Sequence, residues 1–220
     1  VFIAAGGYVV NDIFDVDIDS VNRPHKVLIG YHISETNAYN FYKILCVLGI
    51  VSTLALGFTT HNFRLSTLPI IIMVILNFYA HTFKKQLFVG NFMIALCTSF
   101  TILLIALFES SSSEGSKNDW YVRSGIAIAA IIYSSFAFLT TFLREIVKDA
   151  EDQKGDEQGG ARTIPIVYGE KGTKIASLII SIILLLILGS FTLFFPNINL
   201  KIVSIFIALG LILPLLAIIF

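Results

Sequence analysis

The chain has 220 residues, of which 56% are hydrophobic and only 14% charged, with a mean hydropathy of +0.84. That balance belongs to a multi-span membrane protein rather than to a water-soluble domain. Its 15 Lys and Arg are matched by 15 Asp and Glu, and a net charge of zero excludes the basic excess of a nucleic-acid binder.

Taken in order, residues 1–10 (VFIAAGGYVV) are apolar, but too few to cross a bilayer, which takes about 20. They lack the basic n-region and cleavage pattern of a signal peptide. With no Met at position 1, the chain is expected to be a fragment lacking terminal helices. Gly6 and Gly7 would let a neighbouring helix approach closely. An acidic stretch follows over 11–26, NDIFDVDIDSVNRPHK. In it Asp12, Asp15 and Asp19 are spaced by three and then four, which puts them on one face of a helix. Arg23, Pro24 and Lys26 come directly behind. Apolar runs then predict spans near 37–58, 66–83, 88–108, 120–143, 173–195 and 200–220. Pro69 and Pro214 fall inside two of them, which membrane helices tolerate.

Between the fourth and fifth spans lies a second acidic stretch over 144–165, REIVKDAEDQKGDEQGGARTIP. Asp149, Asp152 and Asp156 repeat the spacing of the first trio and are also expected on one helix face, with Arg162 and Pro165 behind them. The two long connections, roughly 20–36 and 150–172, follow the acidic motifs, and long loops are where function concentrates. The recurrence predicts one all-α transmembrane domain over 1–220, a multi-span helical bundle around a central cavity made of two pseudo-repeats at about 1–110 and 111–220.

Four spans separate the acidic stretches, so both lie on the same side of the membrane. Assigning each Lys and Arg to its nearest helix end gives eleven on the motif side and four, Arg64, Lys117, Arg123 and Lys201, on the other. The positive-inside rule then makes this a multi-pass protein of the cell membrane with its Asp-rich loops in the cytoplasm.

Two acidic clusters at membrane helix ends repel themselves and each other unless cations sit between them. Magnesium takes oxygen ligands and binds through one or two carboxylates plus substrate phosphates. Asn11, Asp12, Asp15 and Asp19 are candidate ligands on one side, Asp149, Asp152 and Asp156 on the other. Asp12, Asp15, Asp149 and Asp152 are expected to carry the chemistry. Arg23, Lys26, Lys148 and Arg162 would contact a diphosphate by charge-assisted hydrogen bonds, and Lys84 and Arg144 a further anion on an acceptor.

Other features have plainer readings. Asp15, Asp17 and Asp19 mimic the start of a calcium loop, but Ser20 stands where glycine is required and Lys26 where glutamate is. Asp17 is expected to face solvent, Glu114, Lys117 and Asp119 to form a solvated loop, and His25 and His32 to be incidental loop residues. Cys46 and Cys97 read as small hydrophobes. The 19 Phe and 8 Tyr are mainly packing and lipid-facing surface. An ion-coupled transporter would need charges near mid-span, and the predicted spans have almost none. No protein partner can be read from the sequence.

The pattern Asn11-Asp12-x-x-Asp15-x-x-x-Asp19, followed by Asn22-Arg23-Pro24, resembles the signature of the UbiA family of intramembrane prenyltransferases. Asp149-x-x-Asp152-x-x-x-Asp156 looks like that family's second aspartate motif. With Tyr79, Lys84 and Gly90-Asn91 between them, the resemblance covers about positions 6–168. Val27 departs from it, standing where many members have a second proline. The resemblance implies nine helices around a cavity open to lipid, with Mg2+ held between the motifs. It also implies transfer of a prenyl group from an allylic prenyl diphosphate to a lipid or aromatic acceptor. Glu145 to Pro165 looks closest to the branch that makes archaeal-type ether lipids on geranylgeranylglyceryl phosphate. Aromatic prenyltransferases of quinone, tocopherol or chlorophyll biosynthesis share the same frame.

Overall fold

A computed structural model of the chain describes residues 1–112 and 119–194. These form seven α-helices: α1 (Phe2–Asn22), α2 (Glu35–Thr59), α3 (Phe63–His81), α4 (Val89–Ser112), α5 (Asp119–Glu151), α6 (Gln153–Gln158) and α7 (Ile164–Phe194). Short 3-10 turns, Pro24–Lys26 and Phe83–Lys85, sit between α1 and α2 and between α3 and α4. Among the described residues there is no strand beyond an isolated bridge between Ile29 and Ile33, so the all-α expectation holds there.

Local chemistry sets several of these boundaries. The Ser34 hydroxyl accepts from the Asn37 amide at 3.3 Å to start α2, and the Asn62 side chain accepts from the Leu65 amide at 3.2 Å to start α3. Pro24 follows the last residues of α1 and, with no N–H to donate, ends it. Pro69 lies inside α3, where neighbouring helices support a proline that would break an isolated one.

Among the described residues four helical segments are long and apolar enough to cross a membrane: Glu35–Thr59, Phe63–His81, Val89–Glu109 and Arg123–Glu151. They correspond to the first four predicted spans. α5 continues past the expected end at 143 because its last turns are amphipathic rather than uniformly apolar, with Glu145 and Ile146 buried and Arg144 exposed. The fifth predicted span falls in α7, after a break at Gly169, where φ is +66°. The sixth, 200–220, lies outside the described residues, as do Pro214, Lys201 and the predicted loop at Glu114 and Lys117. Large side chains such as Phe41, Ile44, Val47, Ile105 and Ile131 are exposed along these spans, the outward face expected of helices in lipid.

α1 packs against α2 and α3, α3 against α4, α4 most extensively against α5, and α5 against α7. Membrane helices gain little from burying apolar surface against one another, so close backbone approach matters. Gly7 provides it: a Cβ there would lie 3.0 Å from Leu76 Cδ1. Ile72, Cys97 and Leu104 form one core cluster between α3 and α4; Ile146, Ile164, Ile180 and Leu184 form another between α5 and α7. The second anchors the C-terminal end of α5, where the second acidic motif begins.

The two expected long loops are shorter and more ordered than the sequence suggested. Residues 20–36 complete α1, turn through Pro24–Lys26 and reach α2. Residues 150–172 contain all of α6 and the start of α7. The second acidic trio is therefore not on one helix face. Asp149 is on α5, Asp152 stands at the break (φ −93°, ψ 5°), and Asp156 is on α6.

Candidate active site

The last three turns of α1 carry Asn11, Asp12, Asp15 and Asp19 along one face, and all four line a single cavity of about 710 Å³. This is the negative end of the helix dipole, where carboxylates are disfavoured, so something must offset them. Asp15, 5% exposed, accepts from Asn11 Nδ2 at 2.7 Å and forms an ion pair with Lys84. Lys84 arrives on the Phe83–Lys85 turn. That turn lies against the start of α4 because Gly90 has no Cβ: one there would sit 2.9 Å from the Phe83 carbonyl oxygen. Asp17 is exposed, as its place off the trio's face predicted.

The second motif comes to the same cavity from α5 and α6. Glu145, Lys148 and Asp149 line it from the end of α5, another negative helix terminus, and Asp152 and Asp156 from the break and α6. Asn91, at the start of α4 and buried, donates its Nδ2 to Asp149 Oδ2 at 2.8 Å. Asp156 is 6% exposed. Burial pushes its carboxyl up to about 6, against the pull of Lys84 and with a further push from Asp152.

Contacts across the sequence join the two motifs. Arg23 forms ion pairs with Asp152 Oδ1 at 2.9 Å and Glu151 Oε2 at 3.3 Å. Asn22 donates its Nδ2 to the Asp152 carbonyl at 2.9 Å and accepts from the Gly155 amide at 2.8 Å. The Arg162 amide donates to the Lys85 carbonyl at 2.9 Å, tying the segment after α6 to the turn that carries Lys84.

All seven acidic or amide residues singled out as metal ligands, together with Arg23, Lys84, Arg144 and Lys148, line the cavity. Lys26 and Arg162 are exposed and do not. Pro24 turns the chain away before Lys26, and only the backbone of Arg162 is tied in. Sequence reasoning passed over Glu145, which is 5% exposed and lines the cavity one turn before Asp149. Its signal was the four-residue step between two acids on a helix that should have ended earlier. It also gave no role to Asn22 and Asn91, whose amides hold the motif carboxylates and backbone. Away from the carboxylates the walls are mainly apolar, with Ile3, Ile72, Leu76, Ile94 and Leu104 among them beside Thr98 and Thr101, and Tyr79 also lines the cavity.

Among the described residues no three Asp, Glu, His or Cys side chains are close enough to cage an ion by themselves. The donor set nevertheless fits magnesium, which needs only one or two carboxylates where phosphate and water complete its shell. Asn11 Oδ1 is buried with no hydrogen-bond partner, an acceptor beside Asp12 and Asp15 that a hydrated cation would satisfy.

Residues 1–219 match the model of the UbiA prenyltransferase family. Over 178 residues the chain is 34% identical to the digeranylgeranylglyceryl phosphate synthase of Sulfolobus acidocaldarius, covering 81% of this chain and 58% of that protein. Over 199 residues it is 33% identical to the enzyme of the same name from Sulfurisphaera tokodaii, covering 90% and 64%. It therefore spans about three fifths of the length of these curated relatives. A solved structure, described as giving structural and mechanistic insights into the biosynthesis of digeranylgeranylglyceryl phosphate synthase in membranes, superposes with a TM-score of 0.58 at 27% identity. That superposition covers 99% of this chain and 70% of the other.

Proposed function

The chain belongs to the UbiA prenyltransferase family, and on that premise we propose that it transfers a geranylgeranyl-like group from an allylic diphosphate to geranylgeranylglyceryl phosphate, forming an ether lipid. The observation that carries this is the convergence of two carboxylate motifs on one end of a cavity whose other walls are mainly apolar. A diphosphate with a long hydrocarbon tail has the same division.

Asn11, Asp12, Asp15 and Asp19 would hold Mg2+ from one side and Asp149, Asp152 and Asp156 from the other. Bound there, magnesium neutralises charge on the departing diphosphate. Lys148 and Arg23 line the same end and donate charge-assisted hydrogen bonds to phosphate oxygens. The bond between the allylic carbon and the diphosphate oxygen breaks, and diphosphate leaves with the electron pair. The acceptor's hydroxyl oxygen bonds to that carbon and gives up its proton to the departing diphosphate. Apolar walls keep the tail extended and exclude water that would otherwise capture the allylic cation.

A hydroxyl is a weak nucleophile, so its approach must be well oriented. A glyceryl phosphate acceptor brings its own anion to be held. Lys84 is engaged by the buried Asp15 and Arg144 by Glu145 at 3.3 Å; of the two, Arg144 has the more exposed side chain at the cavity wall and can add a contact to that phosphate. The relatives' names point to the same acceptor class. Both motifs face the cytoplasm, from which a water-soluble head group can reach them.

The test is an assay of the full-length protein with radiolabelled geranylgeranyl diphosphate and a small acceptor panel. Label in an ether lipid is expected with geranylgeranylglyceryl phosphate, lost in EDTA and regained with magnesium. Label appearing only with 4-hydroxybenzoate or homogentisate would overturn the acceptor and favour an aromatic prenyltransferase.

A further inference from the structure

The side chain of Asn22 touches the second motif twice, from 130 or more positions away. Its Nδ2 donates to the Asp152 carbonyl at 2.9 Å and its Oδ1 accepts from the Gly155 amide at 2.8 Å. It is half-buried and is not among the residues that line the cavity. Both of its partners are backbone groups flanking the break between α5 and α6. Asp152 has left regular helix there; its carbonyl already accepts from the Asp156 amide at 3.1 Å, whereas the Gly155 amide is one of the early α6 amides that a helix start leaves without an intrahelical partner. The Asn22 side chain supplies that amide's acceptor and gives the carbonyl a second donor.

The fit leaves no slack. A Cβ on Gly155 would lie 2.6 Å from Asn22 Nδ2 and 2.7 Å from the Ile18 carbonyl oxygen, so α6 rests directly on the backbone of α1. A Cβ on Gly159 would lie 3.2 Å from Ile18 side-chain carbons, extending the same contact by one turn. Through it, the position of Asp156 on α6 is referred to the helix that carries Asp12, Asp15 and Asp19. Arg23 also pairs with Asp152 and Glu151 from α1, but Asn22 is the α1 side chain that hydrogen-bonds the backbone of α6 itself, at Gly155.

We propose that Asn22 is a positioning residue that fixes the second carboxylate motif against the first, so that both face one cavity in a set register for a metal-bound diphosphate. This rests on the function proposed above for the ligand, though not for the contact itself. Removing a partner that orients ligating side chains typically costs 10- to 100-fold in metal affinity.

The experiment uses the purified full-length protein in detergent with two readouts. One is hydrogen exchange of the peptide covering 153–160; the other is binding of Mn2+ in the presence of inorganic diphosphate. In Asn22→Ala, α6 is expected to lose protection while peptides from α2 to α4 keep theirs, and Mn2+ binding to weaken at least tenfold. Asn22→Asp keeps the acceptor for Gly155 and the shape of the side chain but cannot donate to the Asp152 carbonyl. It guards against a misfolded alanine variant and is expected to fold normally, with a partial loss of α6 protection and several-fold weaker binding. Ser20→Ala, an exposed change on the same helix, should alter neither readout. Unchanged protection of α6 in Asn22→Asp and Asn22→Ala overturns the proposal, as does weakened binding with protection intact, since Asn22 would then act on the ligand itself. If the unaltered protein binds no Mn2+ with diphosphate, the proposed function fails, and the exchange data still decide whether Asn22 sets α6.

Discussion

Replacing Asp156 with Asn should make stability less sensitive to pH, with a definite sign. In the folded chain this carboxyl titrates near 6, against 3.8 for an unperturbed one, chiefly because it is buried. The folded state therefore holds the proton more tightly than the unfolded state. The stability this contributes is fully present below about 3.8 and is lost as pH rises through about 6. The gap of roughly two units, at ~1.4 kcal/mol each, sets a ceiling of ~3 kcal/mol. Because the carboxyl borders a cavity open to water, screening brings the expected value to ~1–2 kcal/mol. Asparagine cannot ionise, so in EDTA at pH 7 Asp156→Asn should melt higher than the unaltered protein by about 2–8 °C. The advantage should vanish near pH 4. Thermal unfolding of the detergent-solubilised full-length protein, followed by helical circular dichroism at several pH values between 4 and 7, measures this. Saturating magnesium should reverse the order at pH 7, because a cation stabilises the carboxylate it binds. A melting difference that does not change with pH would refute the reasoning.

Lys84→Met should lower the melting temperature in EDTA, since Asp15 would be left buried with only Asn11 to hold it. Losing one partner of a buried ion pair costs about 3–5 kcal/mol, and the cavity places this case at the lower end; an unchanged melting temperature would show that the pair is not stabilising. Alanine at Asp12 or Asp149 should leave the protein folded in the membrane and slow transfer on the order of 100- to 1000-fold at limiting magnesium, which near-normal turnover of both variants would contradict. Cysteines introduced at Ser34 and Gln158 should react with an impermeant reagent from one side of the membrane and a cysteine at Ser112 from the other. Labelling of the first two from opposite sides would mean the spans are miscounted.

The first acidic trio was legible because helical periodicity is local: steps of three and four fix a face wherever the helix lies. The first four spans were legible from hydropathy for a similar reason, and their parity placed both motifs at one end of the bundle. The second trio has the same spacing but not the same geometry. Its helix breaks at Asp152, where Asn22 meets the Gly155 amide and the Asp152 carbonyl, and no property of residues 149–156 announces a partner so distant. Lys26 and Arg162 were chosen for nearness in sequence to the acids, whereas Lys84, distant in sequence, sits against Asp15. Asn91 likewise reaches Asp149 only because α4 and α5 pack side by side. Pairings of this kind are made by tertiary structure.

The division of the cavity into a carboxylate end and an apolar end bears on what concentration means for such a catalyst. A donor or acceptor whose hydrocarbon never leaves the oil arrives by sliding within the membrane, so its supply is measured as a mole fraction of lipid. Adding inert phospholipid would thin that supply as surely as removing substrate, whereas adding buffer to the same vesicles would not. In the proposed reaction the diphosphate would obey the opposite accounting, since it would depart into the aqueous phase and its back pressure would depend on volume. The two ends of one cavity thus answer to a surface and to a solution, and rates for this protein acquire meaning only when both are stated.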